Sequence, residues 1–183
     1  MRHIGVSNFR IKDVENLLKT AAIRPVVNQV ECNPSLPQHR LKDFCENQGI
    51  LMSSYGALLP LVRHPSECAP LLHCLTQLEW ECREALAAPK TQEQVTSTSI
   101  STAWPVSAAE LLLRWQFDSG RAVVTTTSRP ARLADYLAAL VPIDSHSSAL
   151  RVPLDASQRI SAASQAGSTF RAHWAEEFNG MVE

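Results

Sequence analysis

The sequence predicts an α/β fold built from alternating strands and helices. Short β-prone runs at residues 26–31 and 50–55 are separated by segments whose apolar residues recur at helical spacing. Connections of about a dozen residues between apolar strands imply parallel pairing with right-handed crossovers. The chain has six glycines and no G-x-G-x-x-G turn, so a doubly wound sheet lacks its usual phosphate-binding element. Four strand–helix units therefore predict one half of an eight-stranded TIM (β/α)8 barrel.

The strand at residues 26–34 is the centre of this arrangement. Valines and polar residues with strand character fill its first positions, and an Asn-Pro pair ends it. Gln29 and Glu31 alternate with Val30, so their side chains point to the same face. They lie near the carboxyl end of the strand, where barrels of this class carry their chemistry. Taken alone, the same pattern also fits a buried strand with a capped end.

The first half of the chain follows the same alternation. Its predicted elements, in order, are a strand at 3–6, a helix with apolar residues from Ile11 to Ala21, the central strand, a helix at 38–48 capped by Gly49, and a strand at 50–55. Because the chain begins directly on an apolar strand, we expect it to be part of a larger fold.

The second half adds the fourth strand and further helices. Its predicted elements are a helix with apolar residues from Leu71 to Leu86, a helix opened by Ser107 and Glu110 and stopped by Gly120, a strand at 122–125, a helix from Pro130 to Leu140, and a last helix from Asp155 through Ile160. Residues 90–104 are polar, largely Ser/Thr-rich and without period, so they predict a disordered insertion. The rest of residues 1–183 is expected to form one domain.

Composition limits the class of protein. The 183 residues, 45% of them apolar, are enough for one domain or a large piece of one. A net charge of −1 gives no electrostatic reason to expect nucleic acid or an anionic membrane as a partner. We find neither an apolar run of about eighteen residues nor a charged-then-apolar leader, so no membrane span or signal peptide is expected. Five cysteines without a C-x-x-C pair fit reduced thiols and a cytoplasmic location.

One group of metal-ligating residue types follows the third strand. It consists of His64, Cys68, His73, Cys74 and Cys82. Their spacing matches no familiar zinc finger, although cysteine and histidine are the ligands that zinc prefers. We therefore expect buried thiols beside surface imidazoles, and no metal.

Several motifs, taken in order, identify a family resemblance. They are I-G-V-S-N-F at 4–9, V-N-Q-V-E at 27–31, N-P at 33–34, Tyr55 and L-L-R-W at 112–115. Together they resemble the C-terminal half of an aldo-keto reductase, over nearly the whole chain. The segment at 123–128 is similar to fungal members that reduce ketones with NADPH. The resemblance implies that these strands are the fifth to eighth of the barrel and that the activity is hydride transfer from NADPH to an aldehyde or ketone.

The resemblance assigns one group of residues to the nicotinamide end of the cofactor. The family's Ser-Asn pair and Gln, which bond the carboxamide, fall on Ser7, Asn8 and Gln29. A hydroxyl and two amides suit a group that offers both a donor and an acceptor. The family's stacking Tyr falls on Tyr55, and the cofactor-binding set also includes Gly56 and Leu58. From the residues alone, the same side chains fit a helix cap, a core amide and a packing residue.

A second group is implied at the phosphate and adenine end. The family's common Lys-Ser pair falls on Thr126 and Thr127, so the lysine charge is absent. Arg132 matches the arginine that contacts the 2′-phosphate, Arg129 is close enough to replace the lysine, and Asp135 belongs to the same set. Guanidinium groups offer forked donors to phosphate oxygens, which favours NADPH over NADH. The alternative for both arginines is a solvated helix start.

The catalytic residues of the family are not matched by this chain. The Asp, Tyr, Lys and His of its tetrad lie on the first four strands. Tyr55 is assigned to stacking, and Tyr136 falls near the adenine, where it replaces the family's usual Asn and suggests stacking. We therefore expect the isolated chain to be inactive. The segment at 170–174 resembles the family's C-terminal tail over the active-site mouth, which makes Trp174 a candidate substrate contact.

A non-catalytic half-barrel is the alternative function. Half a barrel leaves two open sheet edges, and their unpaired backbone groups invite pairing with another chain. We therefore expect that the chain can self-associate or bind a partner through these edges. Small carbonyl compounds are the expected substrates of the full-length form.

Overall fold

Four parallel strands form a sheet in the part of the chain that the structure describes. A computed structural model describes residues 3–63, 65–87, 106–140 and 152–169. The strands are β1 (Gly5–Ser7), β2 (Val27–Glu31), β3 (Leu51–Tyr55) and β4 (Ala122–Val123), and they pair in the order β1-β2-β3-β4. Each neighbouring pair is parallel. The predicted parallel α/β arrangement is therefore confirmed.

Helices connect the strands. They are α1 (Ile11–Leu18), α2 (His39–Asn47), α3 (Ala69–Ala87), α4 (Ala108–Asp118), α5 (Pro130–Leu140) and α6 (Ala156–Gln165), with one 3-10 turn at Leu59–Leu61. In the described ranges, none of them is both long enough and apolar enough to cross a membrane.

The boundaries differ from the sequence predictions at several ends. β1 starts at Gly5 instead of residue 3, and α6 continues five residues past Ile160 to Gln165. β4 has two residues instead of four, although the Val124 N–H still donates to the Ser54 carbonyl at 2.8 Å. A strand ends where its partner's ladder ends, which local residue pattern does not specify. The predicted insertion at 90–104, His64 and the tail with Trp174 lie outside the described residues.

One face of the sheet packs against α1 and α2. Side chains that are in register on neighbouring strands share a face, so Asn28, Val30 and Met52 point toward these helices. The buried apolar residues of this layer are Val14, Val30, Cys32, Leu41, Cys45, Ile50 and Met52. This layer fixes the positions of β1, β2 and β3 relative to one another.

The opposite face, which we call the inner face, carries alternating polar and apolar side chains. Ser7, Gln29 and Ser53 lie in register across β1, β2 and β3. Leu51 on this face is 48% exposed. The inner face is therefore partly accessible in the part of the chain that the structure describes, at Leu51, while Ser53 and Glu31 on it are buried.

A second core lies between α3, α4 and α6. Its large buried side chains are Leu71, Leu75, Leu78, Leu111, Leu112, Trp115 and Ile160. Arg159 closes this core by pairing both its Nη atoms with the Glu81 carboxylate, each at 2.7 Å. The core therefore packs together α3, α4 and α6, which all follow β3 in the chain.

Candidate cofactor site

The tips of β1 and β2 are tied together by backbone and side-chain hydrogen bonds. Ser7 Oγ donates to the Gln29 carbonyl at 3.0 Å, and the Asn8 N–H donates to the same carbonyl at 2.8 Å. Ser7 also faces Gln29 in the parallel ladder. Three of the side chains that the sequence assigns to the nicotinamide therefore lie side by side at the carboxyl ends of two neighbouring strands.

Tyr55 joins this group from the end of β3. Its hydroxyl donates to Asn8 Oδ1 at 3.1 Å. Asn8 has a φ angle of +56°, in the left-handed region that asparagine tolerates better than most residues. The structure thus brings Ser7, Asn8, Gln29 and Tyr55 together, and the left-handed turn at Asn8 is what directs its amide toward Tyr55.

The buried side chain of Asn28 fixes the chain just after Asn8. Its Nδ2 donates to the Phe9 carbonyl at 2.8 Å, and its Oδ1 accepts from the Phe9 N–H at 3.3 Å. Asn28 is fully buried. The sequence motifs predicted no role for it, although an asparagine that follows Val27 in a buried strand is a usable signal because a buried amide requires partners.

Ser7 and Asn8 do not cap the following helix, which was the alternative for them. Arg10 occupies the cap position of α1, and its N–H donates to Asp13 Oδ2 at 3.0 Å. Arg10 Nε contacts the same carboxylate oxygen at 2.7 Å. The hydrogen bond from the guanidinium, with its charge, lowers the pKa of Asp13 below its ordinary value. The side chains of Ser7 and Asn8 bond instead across the strands, to the Gln29 carbonyl and to the Tyr55 hydroxyl.

Gly56 and Leu58 follow Tyr55 in the chain and connect it to a cleft lined by Leu58. Gly56 has a φ angle of +72°, and a Cβ atom there would lie 2.7 Å from Leu59 Cδ1. Both facts favour glycine, because its missing side chain permits this turn. Ala57 between them is buried against Leu113.

A cleft of about 590 Å³ lies beyond Leu58. Arg132 and Asp135 of α5 line it, together with Leu58 and the first residues of α4. Glu110 also lines it, but its carboxylate already accepts from the Ser107 N–H at 2.8 Å and from Ser107 Oγ at 2.6 Å. Arg132 and Asp135 are therefore the charged side chains of α5 that remain for a ligand in this cleft.

Thr126, Thr127 and Arg129 lie on the segment that enters α5. The Arg129 N–H donates to Thr127 Oγ1 at 3.1 Å, and the side chains of Thr126 and Arg129 are exposed. This turn precedes the first residue of α5, Pro130. The structure thus places these side chains near the N-terminus of a helix whose first turn carries Arg132.

Comparison with known proteins decides the family. The sequence model of the Aldo/keto reductase family matches residues 1–150. The chain belongs to the aldo/keto reductase family. The NAD/NADP-dependent indole-3-acetaldehyde reductase of Schizosaccharomyces pombe is 35% identical over 136 residues, which are 73% of this chain and 39% of that protein.

Solved reductases of the family share the fold. Aldose reductase from Giardia lamblia superposes with a TM-score of 0.63 at 19% identity, covering 94% of this chain and 48% of that chain. An aldo-keto reductase complexed with NADPH gives a TM-score of 0.57 at 23% identity, covering 92% and 43%. The chain thus spans about two fifths to one half of these relatives. The predicted half of a (β/α)8 barrel is confirmed.

Tyr136 lies at the base of the cleft, between α5 and α4. Its ring is 8% exposed and packs with Ala57 and Leu113 beneath the cleft. Most of the ring is therefore part of the core between α5 and α4. Tyr136 also lines the cleft beside Arg132 and Asp135, so its stacking on adenine stays a prediction.

The cysteines are buried and free. All five are unpaired, and burial raises the pKa of each thiol, that of Cys32 to about 11. Within the described ranges, no three His, Cys, Asp or Glu side chains come together as a metal site. Cys74 and Cys82, which belong to the group considered for zinc, pack in the core of α3.

Proposed function

We propose that this chain is the NADPH-binding half of an aldo-keto reductase. In its full-length form the protein transfers hydride from NADPH to the carbonyl carbon of a small aldehyde or ketone. The observation that carries the proposal is the hydrogen-bonded group of Ser7, Asn8, Gln29 and Tyr55 at the ends of three strands. Family membership and the relatives' printed NAD(P)H chemistry support it.

The nicotinamide end fits this group by its donors and acceptors. Because Asn8 Oδ1 accepts from Tyr55, its Nδ2 is the atom that can donate to the carboxamide oxygen. The half-buried Gln29 amide offers the complementary acceptor. The Tyr55 ring would stack on the nicotinamide and determine which face is turned to the substrate. When bound, NADPH supplies the hydride.

The adenosine end fits the cleft beside α5. Arg132, with Arg129 nearby, would bind the 2′-phosphate, and Thr126 and Thr127 supply hydroxyl donors at the helix N-terminus. Asp135 would accept from a ribose hydroxyl or the adenine amino group. Leu58 and the side-chain-free Gly56 would allow the pyrophosphate to approach the backbone. The guanidinium groups of Arg132 and Arg129 are what favour NADPH over NADH, because they offer forked donors to the 2′-phosphate.

We further propose that the chain by itself binds the cofactor without reducing carbonyls. A reductase of this kind needs an acid that protonates the carbonyl oxygen. The hydroxyl of Tyr55 already donates to Asn8, and Tyr136 is packed in the core. The tetrad implied by the resemblance belongs to the other half of the barrel. Trp174, which lies outside the described residues, remains our candidate for a substrate contact.

Titration with NADPH, followed by tryptophan fluorescence quenching, tests the proposal. We expect saturable quenching, with NADPH binding more tightly than NADH. Removing the charge in Arg132→Met should weaken NADPH binding by about tenfold or more and leave NADH nearly unchanged, because a charge-assisted hydrogen bond contributes roughly 1.5–3 kcal/mol. The control is Arg24→Met, since Arg24 lies before β2 and donates to Gln48. No saturable change up to millimolar NADPH rejects the proposal.

A second candidate is a half-barrel that associates with a copy of itself. β1 and β4 are the outer strands of the described sheet, and Leu51 and Val124 are about half exposed, 48% and 46%. Since the chain corresponds to about half of a barrel, β4 of one copy can pair in parallel with β1 of another and close eight strands. Sedimentation velocity over a range of concentrations should show a dimer, which Val124→Lys weakens. A monomer at all concentrations contradicts this candidate.

A further inference from the structure

We propose that Asn28 is a positioning residue for the nicotinamide site, which it serves by clamping the backbone that carries Asn8. The inference rests on the proposed cofactor site and adds a residue to it. Asn28 itself points to the helical side of the sheet, away from the inner face, and so is not a ligand of the cofactor. Its effect passes through the peptide group of Phe9.

The clamp uses both polar atoms of one amide. Asn28 Nδ2 donates to the Phe9 carbonyl and Oδ1 accepts from the Phe9 N–H, at 2.8 and 3.3 Å. This reciprocal pairing fixes the orientation of Phe9 as a ladder partner would, beyond the point where β1 has ended at Ser7. No aliphatic side chain can do the same, because it has no donor and no acceptor.

The residue held in place by this clamp is Asn8. On its N-terminal side, Ser7 is in the ladder with Gln29, and the Asn8 N–H itself donates to the Gln29 carbonyl at 2.8 Å. On its C-terminal side, Phe9 is held by Asn28. Asn8, with its φ angle of +56°, is thus held by hydrogen bonds on both sides. Asn28 therefore maintains the left-handed turn that directs the Asn8 amide toward Tyr55.

The proposal separates the two ends of the cofactor. Loss of the clamp should disturb the nicotinamide contacts and leave the distant cleft at Leu58 and Arg132 unchanged. Two ligands distinguish these effects: NADPH, and ADP-ribose 2′-phosphate, which keeps the adenosine and phosphates but lacks the nicotinamide. A variant that only lowers folding stability, while still folded at the assay temperature, does not change the ratio of the two affinities.

The experiment measures both affinities for Asn28→Ala by calorimetry. We expect NADPH to bind about tenfold more weakly, as two hydrogen bonds to the loop are lost, while ADP-ribose 2′-phosphate stays within about twofold of wild type. The matched control is Val30→Ala, which removes a buried side chain on the same strand and the same face but keeps both hydrogen bonds between Asn28 and Phe9. We expect it to keep the wild-type ratio. An unchanged ratio in Asn28→Ala, or an equal change in Val30→Ala, overturns the proposal.

A second variant and a second measurement test the proposal in case Asn28→Ala does not fold. Asn28→Leu fills the same space without polar atoms and should show the same ratio change as Asn28→Ala. In the wild-type chain, the Phe9 amide should exchange its hydrogen as slowly as core amides, without cofactor, because Asn28 Oδ1 accepts it. Exchange at the rate of an open loop overturns the clamp. If wild type binds neither ligand, the proposed function fails, while the exchange measurement still tests the clamp.

Discussion

Tyr55 and Asn8 are joined by a hydrogen bond of 3.1 Å across 47 positions of sequence. The bond connects the end of β3 with the turn that follows β1, past the intervening strand β2. It orients the amide of Asn8 and holds the phenol ring of Tyr55 at its outer end. The two side chains assigned to opposite tasks, binding the carboxamide and stacking on the ring, therefore form one unit.

Removing the Tyr55 hydroxyl should weaken NADPH binding moderately. Tyr55→Phe keeps the ring and frees Asn8 Oδ1, so the loss is that of one hydrogen bond, about 0.5–1.5 kcal/mol or about 2- to 12-fold in Kd. Calorimetric titration measures it. Ser161→Ala is the control, because it removes a side-chain hydrogen bond, that from Trp115 Nε1 at 2.8 Å, between α4 and α6, and it should leave the Kd within about twofold. Equal effects of the two substitutions would contradict the assigned unit.

Asn8 allows the side chain and the backbone to be tested separately. Both Asn8→Ala and Asn8→Gly lose the hydrogen bond to Tyr55, but only alanine keeps a Cβ at φ +56° without a polar side chain, so Asn8→Ala should be less stable than Asn8→Gly by about 1–2 kcal/mol. Both variants lack the amide and should bind NADPH more weakly than wild type. Urea unfolding and cofactor titration give the two values. Equal stability of the two variants would argue against the left-handed turn.

Asp13 should make the site region sensitive to acid. The Arg10 guanidinium lowers the pKa of Asp13 below the ordinary 3.8, so the folded state holds the charged form more strongly than the unfolded state does. Its contribution is present above about pH 4 and is lost as the pH falls through the folded pKa. Asp13→Asn should be less stable at pH 7 and show a smaller loss on acidification, as followed by thermal melting.

The control for Asp13 is Glu81 on α3. Its pairing with Arg159 lowers its pKa in the same way. Glu81→Gln should therefore also reduce the acid dependence of melting. Because Glu81 lies in the α3–α6 core region and Asp13 caps the helix after the Asn8 turn, only Asp13→Asn should weaken NADPH binding. A weaker affinity in both variants would indicate a general loss of stability instead.

The buried cysteines predict that the folded chain loses stability at alkaline pH. Burial raises the pKa of Cys32 from the ordinary 9.0 to about 11, and raises those of the other four thiols. The unfolded chain therefore loses these protons first, and stability falls as the pH rises above about 9. At pH 8 a thiol reagent should label the cysteines only after denaturant is added. Cys32→Ala should show a smaller decrease in melting temperature between pH 8 and 10, and rapid labelling of the native chain would contradict the buried placement.

The sequence predicted the order and type of the described elements because their apolar periodicity is local. It also selected Ser7, Asn8, Gln29 and Tyr55, through motifs that resemble those of a family. The left-handed Asn8, the cap formed by Arg10 and Asp13, and the short β4 were not predicted. Each depends on which backbone groups find partners in a neighbouring strand, and that is not a property of the local pattern.

Taken by itself, the sequence determined the parallel α/β class, the family and the residues whose chemistry suits a nicotinamide cofactor. Only the tertiary structure decided that Asn28 holds Phe9, that Tyr55 reaches Asn8, and that most of Tyr136 is buried against Ala57 and Leu113. The physical reason is that hydrogen bonds and burial join residues far apart in the chain. The residue type determines which donors and acceptors a side chain has, and the fold determines which groups lie close enough to bond them.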